Sequence, residues 1–358
     1  MNLEQLIGLL SVGVKKGASD VHLQAGYPPA YRIRGELFAA RHDKLTSEDI
    51  EVLAKQILGE DGTLNVRRLD LDRGFGIPGL SRFRASILRQ RGALGLVLRI
   101  IPFEVPSIAQ LNLPPVLESI ARLRQGLVLV TGATGNGKST TLAAMINHAN
   151  QSARLHVICI EDPIEFILQP DKSLILQREV GSDTESFETA LRAALRQDPD
   201  VLMVGELRDR ATADTCLKAA ETGHLVLSTI HTTDVARSIG RYVGLFSPEE
   251  QLNVRHRLAE SLRALICLRL VPRRDGQALV PAAEILLSTR TVQDLVRDPS
   301  RTEELVGVME KSHDVGMQTF DQHLVELVRK GMITQDTAKA NATRRAEIDR
   351  ALMMGGPS

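Results

Sequence analysis

The chain has 358 residues and 44 Lys or Arg against 44 Asp or Glu, so it carries no formal net charge. That length suits about two domains of roughly 100–200 residues each, and 43% hydrophobic residues supply a core for both. The charge balance argues against a basic coat for nucleic acid or anionic membrane, and eight Phe, three Tyr and no Trp leave little for base-stacking platforms or interfacial belts.

Leu3, Leu6, Ile7, Leu10 and Val14 recur at helical spacing, and Gly17 closes the pattern. The same segment has Glu4 early and Lys15 and Lys16 late, the reverse of a signal peptide. No apolar run approaches the ~20 residues that span a bilayer, so a soluble protein is expected. Short alternating stretches follow at Val21–Leu23 and Tyr31–Leu37. Thr46 opens a second helix, with Glu48 and Asp49 in its first turn and Ile50, Leu53 and Ile57 on one face. Strand-like pieces recur at Gly74–Ile77, Arg82–Leu88 and Leu94–Ile101. Residues 1–101 therefore read as a small α+β domain with an antiparallel sheet. Pro102, Pro106, Pro114 and Pro115 fall within fourteen residues. Proline blocks regular pairing, so 102–115 reads as the linker.

From residue 116 to 358 the pattern changes. Leu127–Thr131, His156–Ile160, Val201–Val204 and Leu225–Ile230 are short apolar runs separated by helical stretches, the signature of a parallel sheet buried on both faces. A helix near Phe187–Arg196 has Ser182 and Glu185 at capping-box spacing before it. Another near Ala211–Glu221 is followed by Gly223. From about Glu249 onward the chain reads as mostly helical, with Leu258, Leu262, Leu265 and Ile266 as the apolar stripe of an amphipathic helix. Cys159, Cys216 and Cys267 form no CxxC pair, which removes the local zinc signatures and fits a reducing compartment.

Gly132-Ala-Thr-Gly135-Asn-Gly137-Lys138-Ser139 matches GxxxxGK[ST] between an apolar strand and a helical run. Glycines let backbone N–H groups converge on phosphate oxygens, and the helix N-terminus adds its partial positive charge. The loop residues Gly132, Thr134, Gly135, Asn136, Gly137, Lys138, Ser139 and Thr140 are the expected ATP contacts. Lys138 is placed to reach the β- and γ-phosphates, and Ser139 to hold Mg²⁺. Ligands of open α/β sheets lie at the carboxyl ends of the strands. Asp162, Glu165 and Glu206 follow such ends, and ATP cleavage needs acids to hold Mg²⁺ and to orient water. Taken alone, Glu161-Asp162-Pro163-Ile164-Glu165 is a solvated turn; the phosphate loop upstream raises the functional reading. Val201–Glu206 looks like a Walker B strand ending in Glu.

His224 and His231 bracket Leu225–Ile230, and His231, beside Thr232 and Thr233, stands at the ligand end. A lone His is more often structural than catalytic, a reading that stays open for His224. Arg67, Arg68, Arg73, Arg82, Arg84, Arg89, Arg91 and Arg99 crowd 33 residues with only Asp70 and Asp72 against them. Such a run is usually a solvated face. The sharper alternative is that one or two of them neutralise phosphate charge.

Together these motifs resemble the type II/IV secretion ATPase superfamily, specifically the PilT/PilU-type pilus retraction ATPases. The match runs from Gly17-Ala-Ser-Asp-Val-His-Leu23 to Gly316-Met-Gln-Thr-Phe-Asp-Gln322. It is most specific at Gly132–Thr141, Glu161–Glu165 (the Asp box), Arg192–Asp209 (with Walker B) and Ala220–Thr232 (the His box). The resemblance implies a PAS-like N-terminal domain, a RecA-like ATPase domain with a helical C-terminal region, ATP and Mg²⁺ as cofactors, and a homo-hexamer. By family role Glu165 positions water, Glu206 and Ser139 support Mg²⁺, and His231 senses the γ-phosphate. Asp162 and His224 belong to the nucleotide site, and Arg84 and Arg99, with Arg82 beside them, close over the nucleotide. It further implies a cytoplasmic ring docked on an inner-membrane platform protein, acting indirectly on pilin, with a paralogous retraction ATPase as a possible partner and no nucleic acid.

Two departures stand out. Thr291-Val-Gln-Asp-Leu-Val296 replaces an Ala-Ile-Arg-Asn-Leu-Ile-like motif, which admits an accessory, PilU-like paralogue. Ala133 and Asn136 stand where Pro and Ser are commoner. Other readings are an assembly or export ATPase of the same superfamily, a DNA translocase, and a regulatory ring subunit. The missing cysteine cluster counts against assembly. The few aromatics count against DNA, and the intact Lys138, Glu165 and Glu206 against a regulatory subunit.

Overall fold

The computed structural model describes residues 3–58, 70–102 and 104–353. They separate into two compact units, Met1–Glu104 with Pro163–Ile167, and Val105–Asp162 with Leu168–Ser358. Of the proline-rich stretch, Ile108 and Leu113 are already buried as part of the second unit. Arg67 and Arg68 lie outside the described residues.

The first unit is a six-stranded antiparallel sheet with two helices, α1 (Leu3–Lys15) and α2 (Ser47–Leu58). Its strands are β1 (Asp20–Gln24), β2 (Ala30–Ile33), β3 (Glu36–Ala39), β4 (Asp70–Ile77), β5 (Ser81–Gln90) and β6 (Ala93–Ile101), in the order β3-β2-β1-β6-β5-β4. Period two is strict in β5: Phe83, Ala85 and Ile87 are buried while Arg82 and Arg84 point to the other face. Helix residues Leu6, Leu10, Ile50 and Leu53 meet the apolar face of that sheet. Thr46 and Asp49 form the reciprocal cap that starts α2, each accepting the other's backbone N–H.

The second unit is built on a seven-stranded sheet in the order β13-β12-β7-β11-β10-β8-β9. The strands are β7 (Gly126–Thr131), β8 (His156–Glu161), β9 (Leu174–Glu179), β10 (Val201–Val204), β11 (Leu225–Ile230), β12 (Leu262–Pro272) and β13 (Leu279–Leu287). All neighbours run parallel except β12 and β13. Strands β7, β10 and β11 are buried throughout, as continuous apolar runs require. Helices α3 (Val116–Ala121), α4 (Lys138–Ser152), α5 (Phe187–Ala194), α6 (Arg210–Glu221), α7 (Val235–Val243) and α8 (Pro248–Ser261) punctuate it. The C-terminal region adds α9 (Arg290–Arg297), α10 (Leu305–Lys311), α11 (Phe320–Arg329), α12 (Gln335–Asn341) and α13 (Arg345–Met353). No helix among the described residues is long and apolar enough to cross a membrane.

Two expectations need correction. The stripe from Leu258 to Ile266 is not one helix: α8 ends at Ser261, and Leu262 begins β12 without a loop. A short apolar run fits either geometry. Pairing decides it, because fully buried β7 would leave one edge of backbone donors and acceptors unsatisfied without β12. The Ser182/Glu185 capping box is also absent. Ser186 caps α5 by accepting the Thr189 N–H at 3.1 Å, and Ser182 lies in a turn on Glu179.

Candidate nucleotide site

The phosphate loop joins β7 to α4 in the second unit. Gly132 has φ +148°, and a Cβ there would lie 2.7 Å from the Leu268 carbonyl oxygen, so backbone packing against β12 demands glycine. Gly137, the N-cap of α4, has φ +82°. Asn136, one of the unusual loop residues, donates from Nδ2 to that same Leu268 carbonyl at 3.0 Å. Its side chain therefore ties the loop to the sheet, and its own N–H donates to the Ala133 carbonyl at 3.2 Å. Thr134 and Gly135 are exposed, and Ser139 and Thr140 partly so.

Lys138 is buried and donates to the carbonyls of Gly132 (3.0 Å) and Ala133 (3.1 Å). Its Nζ also lies 3.3 Å from His231 Nδ1, and His231 Nε2 lies 3.2 Å from Glu206 Oε1. An ammonium has only donors, so Nδ1 accepts, and the ring proton on Nε2 points to the carboxylate. The turn carrying Glu206 is pinned on both sides: the Gly205 carbonyl accepts from Thr229 Oγ1 at 2.6 Å, and the Leu207 N–H donates to Thr229 O at 3.0 Å. Arg208 joins the group, with Nε 2.8 Å from Glu206 and Nη1 3.4 Å from Asp162. Those carboxylates push the Arg208 guanidinium further up, through the Glu206 hydrogen bond above all.

A buried network backs the His231 loop. Thr131, the last residue of β7, donates to Cys267 Sγ at 2.8 Å. The Ser238 hydroxyl of α7 lies 3.2 Å from Thr131 Oγ1 and 2.6 Å from the Asp234 carbonyl, and it pairs with the Thr232 hydroxyl. The strand end that launches the phosphate loop and the loop after His231 thus share hydroxyl contacts.

Lys138, His231, Glu206 and Asp162 are therefore brought together at the carboxyl ends of β7, β11, β10 and β8. His224 is not. It precedes β11, its Nδ1 lies 3.0 Å from the Ala219 carbonyl, and its own carbonyl accepts from Gly126 at the start of β7. A six-residue strand at roughly 3.3 Å per residue separates it from the loop within this chain. Glu165 falls in the segment that groups with the first unit, where the Ile167 N–H reaches the Pro102 carbonyl. In that unit Arg84 and Arg99 stand opposite each other on β5 and β6. They pair with Asp72 and Asp20, each at 3.0 Å, and Arg82 shares the face of Arg84. Hydrogen bonds from Ser19 and Arg99 hold the Asp20 carboxyl low against its burial.

Arg208 was not singled out by sequence reasoning. Its signal was the Glu206-Leu-Arg208 alternation, which puts two opposite charges on one side of an extended turn. Glu284, in β13, was also missed; it is the lone charge in the apolar stretch Val280–Leu287.

Residues 6–344 match the family model described as type II/IV secretion system protein. The chain is 40% identical over 335 residues to the type IV pilus retraction ATPase PilT of Pseudomonas aeruginosa, covering 93% of this chain and 97% of that one. It is 38% identical over 359 residues to the type IV pilus ATPase PilU of the same organism, covering 100% and 93%. Among solved structures, the pilus retraction motor PilT with bound ADP superposes with a TM-score of 0.87 at 38% identity, covering 98% of this chain and 99% of that one. The Legionella pneumophila ATPase DotB gives 0.82 at 29%, covering 95% of each chain. With motifs, sheet order and whole-chain similarity in agreement, the protein belongs to the type II/IV secretion system protein family, on its PilT/PilU side, and is a P-loop ATPase.

Proposed function

We propose that the protein is a hexameric motor that hydrolyses ATP to retract type IV pili, removing pilin from the fibre through an inner-membrane platform protein on the cytoplasmic side. The observation that carries this is the meeting of Lys138, His231 and Glu206 at the mouth of the phosphate loop. Loop N–H groups and Lys138 would bind the β- and γ-phosphates. His231, which touches both Lys138 and Glu206, would register whether the γ-phosphate is present. Ser139 and Glu206 offer hard oxygen donors that fit Mg²⁺, which commonly takes one or two protein oxygens beside phosphates and water. When bound, the ion neutralises charge developing on the transferred phosphoryl group. Glu165 would orient the attacking water, and Arg84 and Arg99, with Arg82, would close over the nucleotide.

An accessory, PilU-like role is the second reading. The replaced motif keeps its apolar positions, since Val292, Leu295 and Val296 of α9 are buried, but it lacks the Arg-Asn pair. The test is Glu206→Gln. Purified enzyme should lose turnover by about 10²-fold or more while still binding ADP. Cells carrying it should accumulate pili that do not pull. Normal turnover refutes the site, missing pili point to assembly, and normal twitching driven by a partner ATPase points to the accessory role.

A further inference from the structure

The His231 loop runs directly into α7, and the first turn of α7 is held from an unexpected place. Glu284, in the middle of β13, accepts the Val235 N–H at 2.9 Å, and the start of α11 at Thr319 and Phe320 lines the same cavity as Asp234 and Glu284. Val235 is the first residue of α7 and Phe320 the first of α11. A buried carboxylate from a distant strand thus helps cap α7, where four backbone donors otherwise lack intrahelical partners. Asp234 completes the α7 cap by accepting from Arg237 at 2.9 Å. The seam around Glu284 is tightly tied. Ala283 donates to His323 Nδ1 at 2.9 Å and accepts from Gln318 Nε2 at 2.8 Å, and Ile285 exchanges backbone bonds with Gln318. Arg269 lies 4.0 Å over the Phe320 ring and donates to the Asn341 carbonyl at 3.2 Å.

We infer that Glu284 is a positioning residue for His231: by fixing the start of α7 to β13, it holds the residues between His231 and Val235 so that the ring meets Lys138 and Glu206 together. Only three residues separate the ring from the capped helix start, so slack there is passed on to contacts of 3.2 and 3.3 Å. A misplacement of about 1 Å at a catalytic group can cost about 10²-fold in rate. The inference rests on His231 belonging to the ATPase site, so its test carries its own check of that reading.

The experiment measures steady-state ATP turnover and ADP affinity for the full chain as Glu284→Ala, Glu284→Gln, His231→Ala and the combinations with His231→Ala. Glu284→Ala should lower kcat about tenfold, leave the ATP KM and ADP affinity within about threefold, and cause no further loss in the His231→Ala background. Glu284→Gln, which keeps the shape and one acceptor oxygen, should recover part of the rate. If His231→Ala turns over normally, the site reading fails. If His231→Ala is slow while both Glu284 variants match the parent, the positioning role alone is overturned. It is equally overturned if the Glu284 loss persists undiminished without the imidazole. Should Glu284→Ala not fold, Glu284→Gln alone and with His231→Ala decides by the same criteria.

Discussion

Replacing Glu284 by Gln swaps a buried, titratable carboxyl for a neutral group of the same shape. Burial pushes this carboxyl from its ordinary 4.5 up to about 7, against the pull of the Val235 and Phe320 N–H groups and of Arg269, and with Asp234 adding to the rise. The sign follows from linkage. A carboxyl whose folded pKa is raised is ionised more readily when unfolded, so it lowers stability as pH rises from about 4.5 to about 7, and the loss is complete above that. With those two values the cost is about 1 kcal/mol at pH 5 and about 3 kcal/mol at pH 8, a difference of roughly 2–3 kcal/mol. Glutamine does not titrate. Its own defect, an amide NH₂ in place of one carboxylate oxygen, costs about 1–3 kcal/mol but is the same at every pH. The melting temperature of Glu284→Gln relative to the parent should therefore rise by ~5–10 °C between pH 5 and pH 8. The chain has no Trp, so far-UV circular dichroism or calorimetry is the assay. A difference in melting temperature that stays constant across that range would refute the assignment of a raised pKa to this carboxyl.

Gly132→Ala should abolish nucleotide binding or destabilise the second unit by about 1–3 kcal/mol, because the new Cβ meets a backbone carbonyl that cannot yield; normal ADP affinity and melting would contradict this. His323 is buried and accepts from the Ala283 N–H, and burial pulls its pKa down from 6.5 to about 4. Stability should therefore fall as pH drops from 6.5 towards 4, by about 3 kcal/mol at pH 4, and His323→Gln should lose that sensitivity in acid melts.

The sequence by itself determined the chemistry of the loop, since GxxxxGK[ST] between a strand and a helix has few other uses. It also located four of the parallel strands, because those apolar runs are only four to six residues long, rich in β-branched residues and separated by helical stretches, a pattern that suits a sheet covered on both faces. The strictly alternating β5 was legible for the same kind of reason, with Phe83 inward and Arg82 and Arg84 outward. What lay beyond it was set by distant partners. Leu262–Val271 reads equally as helix or strand until β7 is seen to need a second neighbour. Arg208 becomes part of the site only when β8 and β10 bring Asp162 and Glu206 within reach of one guanidinium. Glu284 looks like an oddity in an apolar strand until the start of α7 donates to it, 49 residues back in sequence, with the start of α11 lining the same cavity. Local pattern reports propensity and burial, whereas the pairing of strand edges and the capping of a helix by a carboxylate from a distant strand exist only once the chain has closed on itself.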